Sequence, residues 1–167
     1  MSNQPVEWAY NNLTISTLNL EKKDALDLFY LQEELVDLDD KSKLTFFTHC
    51  PIPVMLIETA GENDEFTMSQ NIEMTGYATL HEYTIKNWGC PTDAIDVEFS
   101  QVNEYELNYE FRTRSCSPLK WMKEVSEQYP TLMFEMEDTN EFELWDEFNM
   151  ILVDGKEVLM EYKKKQR

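Results

Sequence analysis

The chain has 167 residues, 42% hydrophobic and 13% aromatic, with 33 acidic residues against 14 basic ones and a formal net charge of −19 at pH 7. That length and apolar content suit one domain that can bury a core without disulfide or metal, and the 4 glycines and 6 prolines exclude low-complexity chain. The charge excludes direct binding to nucleic acid or anionic lipid, since both require Lys and Arg to displace counterions.

In chain order, Asn11–Leu18 alternates Leu13 and Ile15 with Thr14 and Ser16 and reads as a strand. Asn19 is placed to cap a helix from Leu20 to about Leu38, with Ala25, Leu28, Phe29, Leu35 and Val36 at helical spacing. Leu44–Cys50 reads as a strand, Val54–Glu58 is an apolar run of either type, and Gly61–Phe66 is an acidic turn. Ile72–Met74 and Thr79–Lys86 read as strand, with Thr79, His81, Tyr83 and Ile85 on one face, and Ile95–Phe99 resumes it. Tyr105–Thr113 alternates Tyr105, Leu107, Tyr109, Phe111 and Thr113 with polar residues, the mark of a half-buried strand. Ser117-Pro118 predicts an N-cap followed by a helix that Pro130 stops, with Leu119, Met122, Val125, Ser126 and Tyr129 inward. Thr131–Glu137, Phe148–Val153 and Lys156–Tyr162 follow as strands, the last two joined by an Asp154-Gly155 hairpin turn. Residues 163–167 form a basic tail expected to fray. This order predicts a single α+β domain over 1–167, mainly an antiparallel sheet with two main helices on one face.

Two motifs in the second half carry a resemblance. Lys86-Asn87-Trp88-Gly89-Cys90-Pro91-Thr92-Asp93-Ala94 is followed by Phe111-Arg112-Thr113-Arg114-Ser115-Cys116-Ser117-Pro118 and then Tyr129-Pro130. In order and spacing this resembles the YubB/Api-type domain family of phages and plasmids, over about residues 80–156. Thr92 stands where that pattern has a second tryptophan, Thr113-Arg114-Ser115 where it has Thr-Ala-Trp, and Glu143–Glu147 lacks its glycine. The resemblance implies a ferredoxin-like sandwich without an iron–sulfur cluster and a mobile-element origin, and it implies no reaction.

No catalytic constellation is recognisable. His49 and His81 are the only histidines, and His49 beside Cys50 has no visible orienting third group. Cys50, Cys90 and Cys116 are an odd set without CxxC, which points to neither a disulfide framework nor zinc. The carboxylates from Asp138 to Glu147 miss the calcium-loop pattern because Phe142 and Glu143 occupy its last two positions. Glycine-rich nucleotide cradles are absent too. No cofactor or metal is therefore expected. The opening MSNQPVEWAY has no leader character, and a cytoplasmic protein with reduced thiols is expected.

The acid itself is the strongest functional signal. From Leu44 to Gly155 there are 22 carboxylates and 5 basic residues, so most carboxylates lack a nearby cation in sequence. Solubility is one use for such charge, yet −19 lies far beyond the roughly 2–8 units usual for a small domain. The preferred expectation is a non-enzymatic phage or mobile-element protein that inhibits a basic, nucleic-acid-handling or defence protein of the host through a nucleic-acid-mimicking surface. Glu135, Glu137, Asp138, Glu141, Glu143, Trp145, Asp146 and Glu147 are its expected contact residues, with Trp145 an aromatic anchor among acids. The alternative is a small-molecule binder for a nucleotide signal using Trp88, Arg112 and Arg114, where two arginines could hold phosphate. Self-association is left open.

Overall fold

The computed structural model describes residues 7–39, 42–140 and 147–163. Eleven elements follow in the order β1 (Trp8–Thr17), α1 (Lys22–Leu35), α2 (Val54–Glu58), α3 (Glu65–Thr75), α4 (Leu80–Asn87), β2 (Ile95–Asn103), β3 (Glu106–Arg114), α5 (Leu119–Gln128), β4 (Leu132–Asn140), β5 (Glu147–Val153) and β6 (Lys156–Lys163). The strands make one sheet in the order β2-β3-β1-β4-β5-β6, with every neighbouring pair antiparallel. The fold is α+β.

Strand alternation decides which side of the sheet is covered. Leu13 and Ile15 of β1 lie opposite Tyr109 and Leu107 of β3, and opposite Met136 and Phe134 of β4. All six are fully buried, and they share one core with Leu28, Leu31 and Leu35 of α1 and Trp121, Met122 and Val125 of α5. Both helices therefore cover the same face, each buried aliphatic side chain contributing about 1.5–3 kcal/mol. The β5–β6 connection uses Asp154 and Gly155 at φ of 51° and 68°, the primed turn expected of an Asp-Gly hairpin. Both edges of the sheet are irregular. Register shifts interrupt the β2–β3 pairing between Ile95 and Glu98 and between Gln101 and Asn103, and the β5–β6 pairing between Ile151 and Leu152.

Several expectations are corrected between α1 and β2. Helix α1 begins at Lys22 after Glu21, not at Leu20 after Asn19, and it ends at Leu35. Leu44–Cys50 is not a strand: its backbone bonds go elsewhere, Thr45 N–H to Leu35 O at 2.8 Å and Phe46 N–H to the Asp93 carboxylate at 2.8 Å. Ile72–Met74 lies within α3, and of the stretch Thr79–Lys86 all but the N-cap Thr79 lies within α4. Caps account for this. The Asp64 carboxylate accepts from Thr67 N–H, and the Thr79 hydroxyl accepts from Glu82 N–H while Glu82 reaches back to Ala78 N–H at 2.8 Å. Gly76, left-handed at φ 83°, then closes α3. Beside α1 and α5, the two main helices packed on one face of the sheet, three further helices, α2, α3 and α4, are present among the described residues.

Helix α5 starts at Leu119 after Pro118, and Ser117 does not cap it. The Ser117 hydroxyl instead contacts Asn11 Oδ1 at 2.6 Å and the Asp138 carboxylate. Asn11 Nδ2 in turn donates to Thr113 Oγ1 at 2.9 Å. This buried polar cluster ties β1, β3 and β4 to Ser117, two residues before α5. The expected tail beyond Lys163 lies outside the described residues.

Candidate partner-binding face

The side of the sheet away from the helices is uncovered among the described residues, and it is polar apart from a patch of Met133, Ile151 and Val153 on β4 and β5. One cross-strand row runs over all six strands: Glu98 of β2, Glu110 of β3, Asn12 of β1, Glu137 of β4, Asn149 of β5 and Glu161 of β6. Five strand spacings of about 4.8 Å make it roughly 24 Å long. Glu98 stands directly opposite Glu110, a like-charge pair that costs stability. The parallel row beside it contains Asn108, Thr14 and Glu135, where Asn108 Nδ2 donates to Asn12 Oδ1 at 2.6 Å and to Thr14 Oγ1 at 3.1 Å. Amide and hydroxyl bonds thus hold the middle of the face while carboxylates occupy both flanks.

Cations answer few of these acids. The ion pairs among the described residues are His49–Glu34, Lys86–Glu82, Arg112–Asp96 and Lys163–Glu147. None involves a member of the glutamate row. Arg112 is held at one end of the face by Asp96, with its guanidinium 4.8 Å from the centre of the Trp8 ring. A shallow groove of about 430 Å³ runs there between Tyr10, Asn12, Glu98, Glu110, Arg112 and Glu137.

The expected contact residues divide. Glu135, Glu137 and Glu147 are on the open face, Glu147 across from Lys163 at 3.8 Å. Asp138 alternates to the opposite side, toward Ser117. Glu141, Glu143, Trp145 and Asp146 lie outside the described residues. Sequence reasoning missed Glu98, Glu110 and Glu161. Their alternation with apolar neighbours was visible, but only the strand register shows that they share one row.

The alternative trio is not brought together. Trp88 is 3% exposed, donates its indole N–H to Cys50 O at 3.0 Å and packs on Phe46, under the helices. Arg112 is committed to Asp96 on the other side of the sheet, and Arg114 is exposed at the end of β3. The motif around Trp88 is a packing device. Gly89, at φ 89°, lets the turn approach α5 so closely that an added Cβ would sit 3.3 Å from Lys120 N, and Trp121 N–H donates to Trp88 O at 3.2 Å.

No nucleophile pair forms. His49 Nε2 lies 2.8 Å from Glu34, which also accepts from the Tyr129 hydroxyl at 2.7 Å. Burial, with a smaller push from Glu124, raises the Cys50 thiol to about 11, far from a reactive thiolate. Cys90 is raised as well, chiefly by burial, and His81 is exposed on α4. Among the described residues no cluster of three or more His, Cys, Asp or Glu could hold a metal, and no helix is long and apolar enough to cross a membrane.

No family model matches the sequence, and no curated protein matches it. The structure is similar to the crystal structure of protein api92 from Yersinia pseudotuberculosis, of the family model DUF1281, with a TM-score of 0.56 and 10% sequence identity. That likeness covers 98% of this chain and 100% of the other. At such identity it speaks for the fold: the chain shares the architecture of api92.

Proposed function

We propose that the open face binds a basic protein in place of nucleic acid, and that the chain acts as an inhibitor without catalysis of its own. The glutamate row carries this reading. A solubility role is served by acids anywhere, whereas this row places four carboxylates, none in an ion pair among the described residues, along one line across a six-stranded sheet and accepts the repulsion of Glu98 against Glu110. Such a field speeds encounter with a positively charged channel and suppresses neutral or acidic partners. The partners this reading names are host proteins that handle nucleic acid, defence nucleases among them, met in the cytoplasm.

In the same reading the core is ferredoxin-like. The order β2-β3-β1-β4, with α1 and α5 as the crossing helices, is that of two interleaved split βαβ units, to which β5 and β6 are appended. The Trp88 and Ser117-Pro118 motifs and the likeness to api92 support kinship with the YubB/Api-type family and an origin on a phage or plasmid.

Affinity capture from host lysate tests the function. Wild-type protein is expected to retain a basic nucleic-acid-binding protein, release it as salt rises, and inhibit its activity. The variant Glu98→Gln, Glu110→Gln, Glu137→Gln, Glu161→Gln is expected to lose both capture and inhibition. Equal capture and inhibition by that variant would falsify the proposal, as would the absence of any basic protein in the wild-type eluate.

A further inference from the structure

We infer that the groove between α5 and the β5–β6 hairpin binds a small phosphate-bearing ligand with an aromatic ring, of the nucleoside polyphosphate class. This site lies on the helix-covered side and does not depend on the role proposed for the open face. Its floor is Met150 and Leu152, and Lys120 and Lys123 of α5 and Lys156 of β6 stand around it. The space is about 480 Å³, within the roughly 300–1,000 Å³ of small-molecule sites.

Three lysines around one groove are unexpected in a chain with 33 acidic residues. None of the three forms an ion pair among the described residues. Glu157 lines the groove with them and Glu127 lies against Gly155 in its wall, so three ammonium groups stand against two carboxylates. Lys120 also sits in the first turn of α5, where the helix adds its own positive end. The glutamate row is on the opposite face of the sheet, and its field is screened over about 8 Å at physiological ionic strength.

The wall of the groove is built, not incidental. Gly155 N–H donates to Ser126 Oγ at 3.0 Å, which pins the hairpin turn to α5. Glu127 folds over Gly155, so a larger residue there would displace its side chain, and the φ of 68° at Gly155 itself favours glycine. Lysine ammonium groups are point charges suited to phosphate oxygens, while half-buried Leu119 above the floor of Met150 and Leu152 offers an apolar surface to the face of a base. Inorganic phosphate alone would use the rim and leave the floor wet. A nucleoside polyphosphate uses both.

Calorimetric titration without divalent metal tests this, with ATP, inorganic triphosphate and adenosine as separate probes. ATP is expected to bind most tightly, triphosphate more weakly and adenosine not measurably. The variant Lys120→Ala, Lys123→Ala, Lys156→Ala is expected to lose at least about tenfold in ATP affinity. Amide shifts at Lys120, Lys123 and Gly155 on adding ATP to the wild type give a readout independent of any variant. The inference is overturned by no binding at millimolar ATP, by unchanged affinity in the triple variant, or by shifts confined to other residues. Triphosphate binding as tightly as ATP overturns the assigned ligand class.

Discussion

Phe134 and Glu135 are neighbours in β4, yet the first is fully buried beneath the helices and the second is part-exposed on the far side of the sheet. The same division runs through every central strand: Leu13 against Asn12, Tyr109 against Glu110, Met136 against Glu137. The covered face is apolar and closely packed, and it accounts for stability. The open face carries charge that stability does not need, and in the pair Glu98–Glu110 charge that works against it. Packing dictates the side chains of the covered face, whereas selection for something other than folding has room to act on the open one.

The largest expected effect separates the two faces within one strand. Phe134→Ala should cost about 3–5 kcal/mol, because it leaves a cavity between Ile15 and Leu152. Glu135→Ala should stay within about 0.5 kcal/mol. Urea denaturation of the two variants measures the gap, and comparable losses would dissolve the distinction.

A middle-sized effect concerns the irregular segment that closes the covered face. The Asp93 carboxylate accepts from Thr45 Oγ1 at 2.6 Å, Phe46 N–H at 2.8 Å and Ala94 N–H at 2.8 Å. Asp93→Ala strands the Phe46 amide and should cost about 1–3 kcal/mol. Burial pushes the Asp93 carboxyl above its ordinary value of 3.8, outweighing those hydrogen bonds, which pull it down. A raised folded-state value means that the folded protein keeps this proton longer than the unfolded chain. The associated stability is full below the ordinary value and is lost as pH rises through the raised one. Asp93→Asn should therefore flatten the stability–pH profile in the acidic range above 3.8, and an unchanged slope there would refute the assignment.

Smallest is the gain from relieving repulsion on the open face. Glu110→Gln should stabilise by about 0.2–1 kcal/mol at low salt, and by less as salt screens the pair in the wild type. Thermal melts at two ionic strengths read this directly. A destabilised variant would show that Glu110 is paired more favourably than its register implies.

How much of this was legible depends on the kind of signal. The alternation of Tyr105–Thr113 and the Asp154-Gly155 turn were readable because period and turn chemistry are local. Helices α3 and α4 were misread because Ile72–Met74 and Thr79–Lys86 have weak apolar patterning and can be aligned to either period. Their caps, Asp64 and the Thr79/Glu82 pair, were the signal that could have decided it. Leu44–Cys50 looked like a strand because it is apolar, but burial there comes from Phe46 packing on Trp88 and Trp121. The candidate face was legible as charge and not as place. That Glu98, Glu110, Glu137 and Glu161 line up depends on the pairing register of six strands, which no single stretch of chain contains.

The irregular pairing at both margins of the sheet bears on how these molecules behave in a crowd. A straight, regular outer strand invites another chain to dock its backbone there, and repetition of that event makes fibrils. Twisted margins, with Lys156 and Lys163 at the two ends of β6, deny that template. Joining of copies edge to edge through the backbone is thereby disfavoured, and the open face keeps the width of its own six strands.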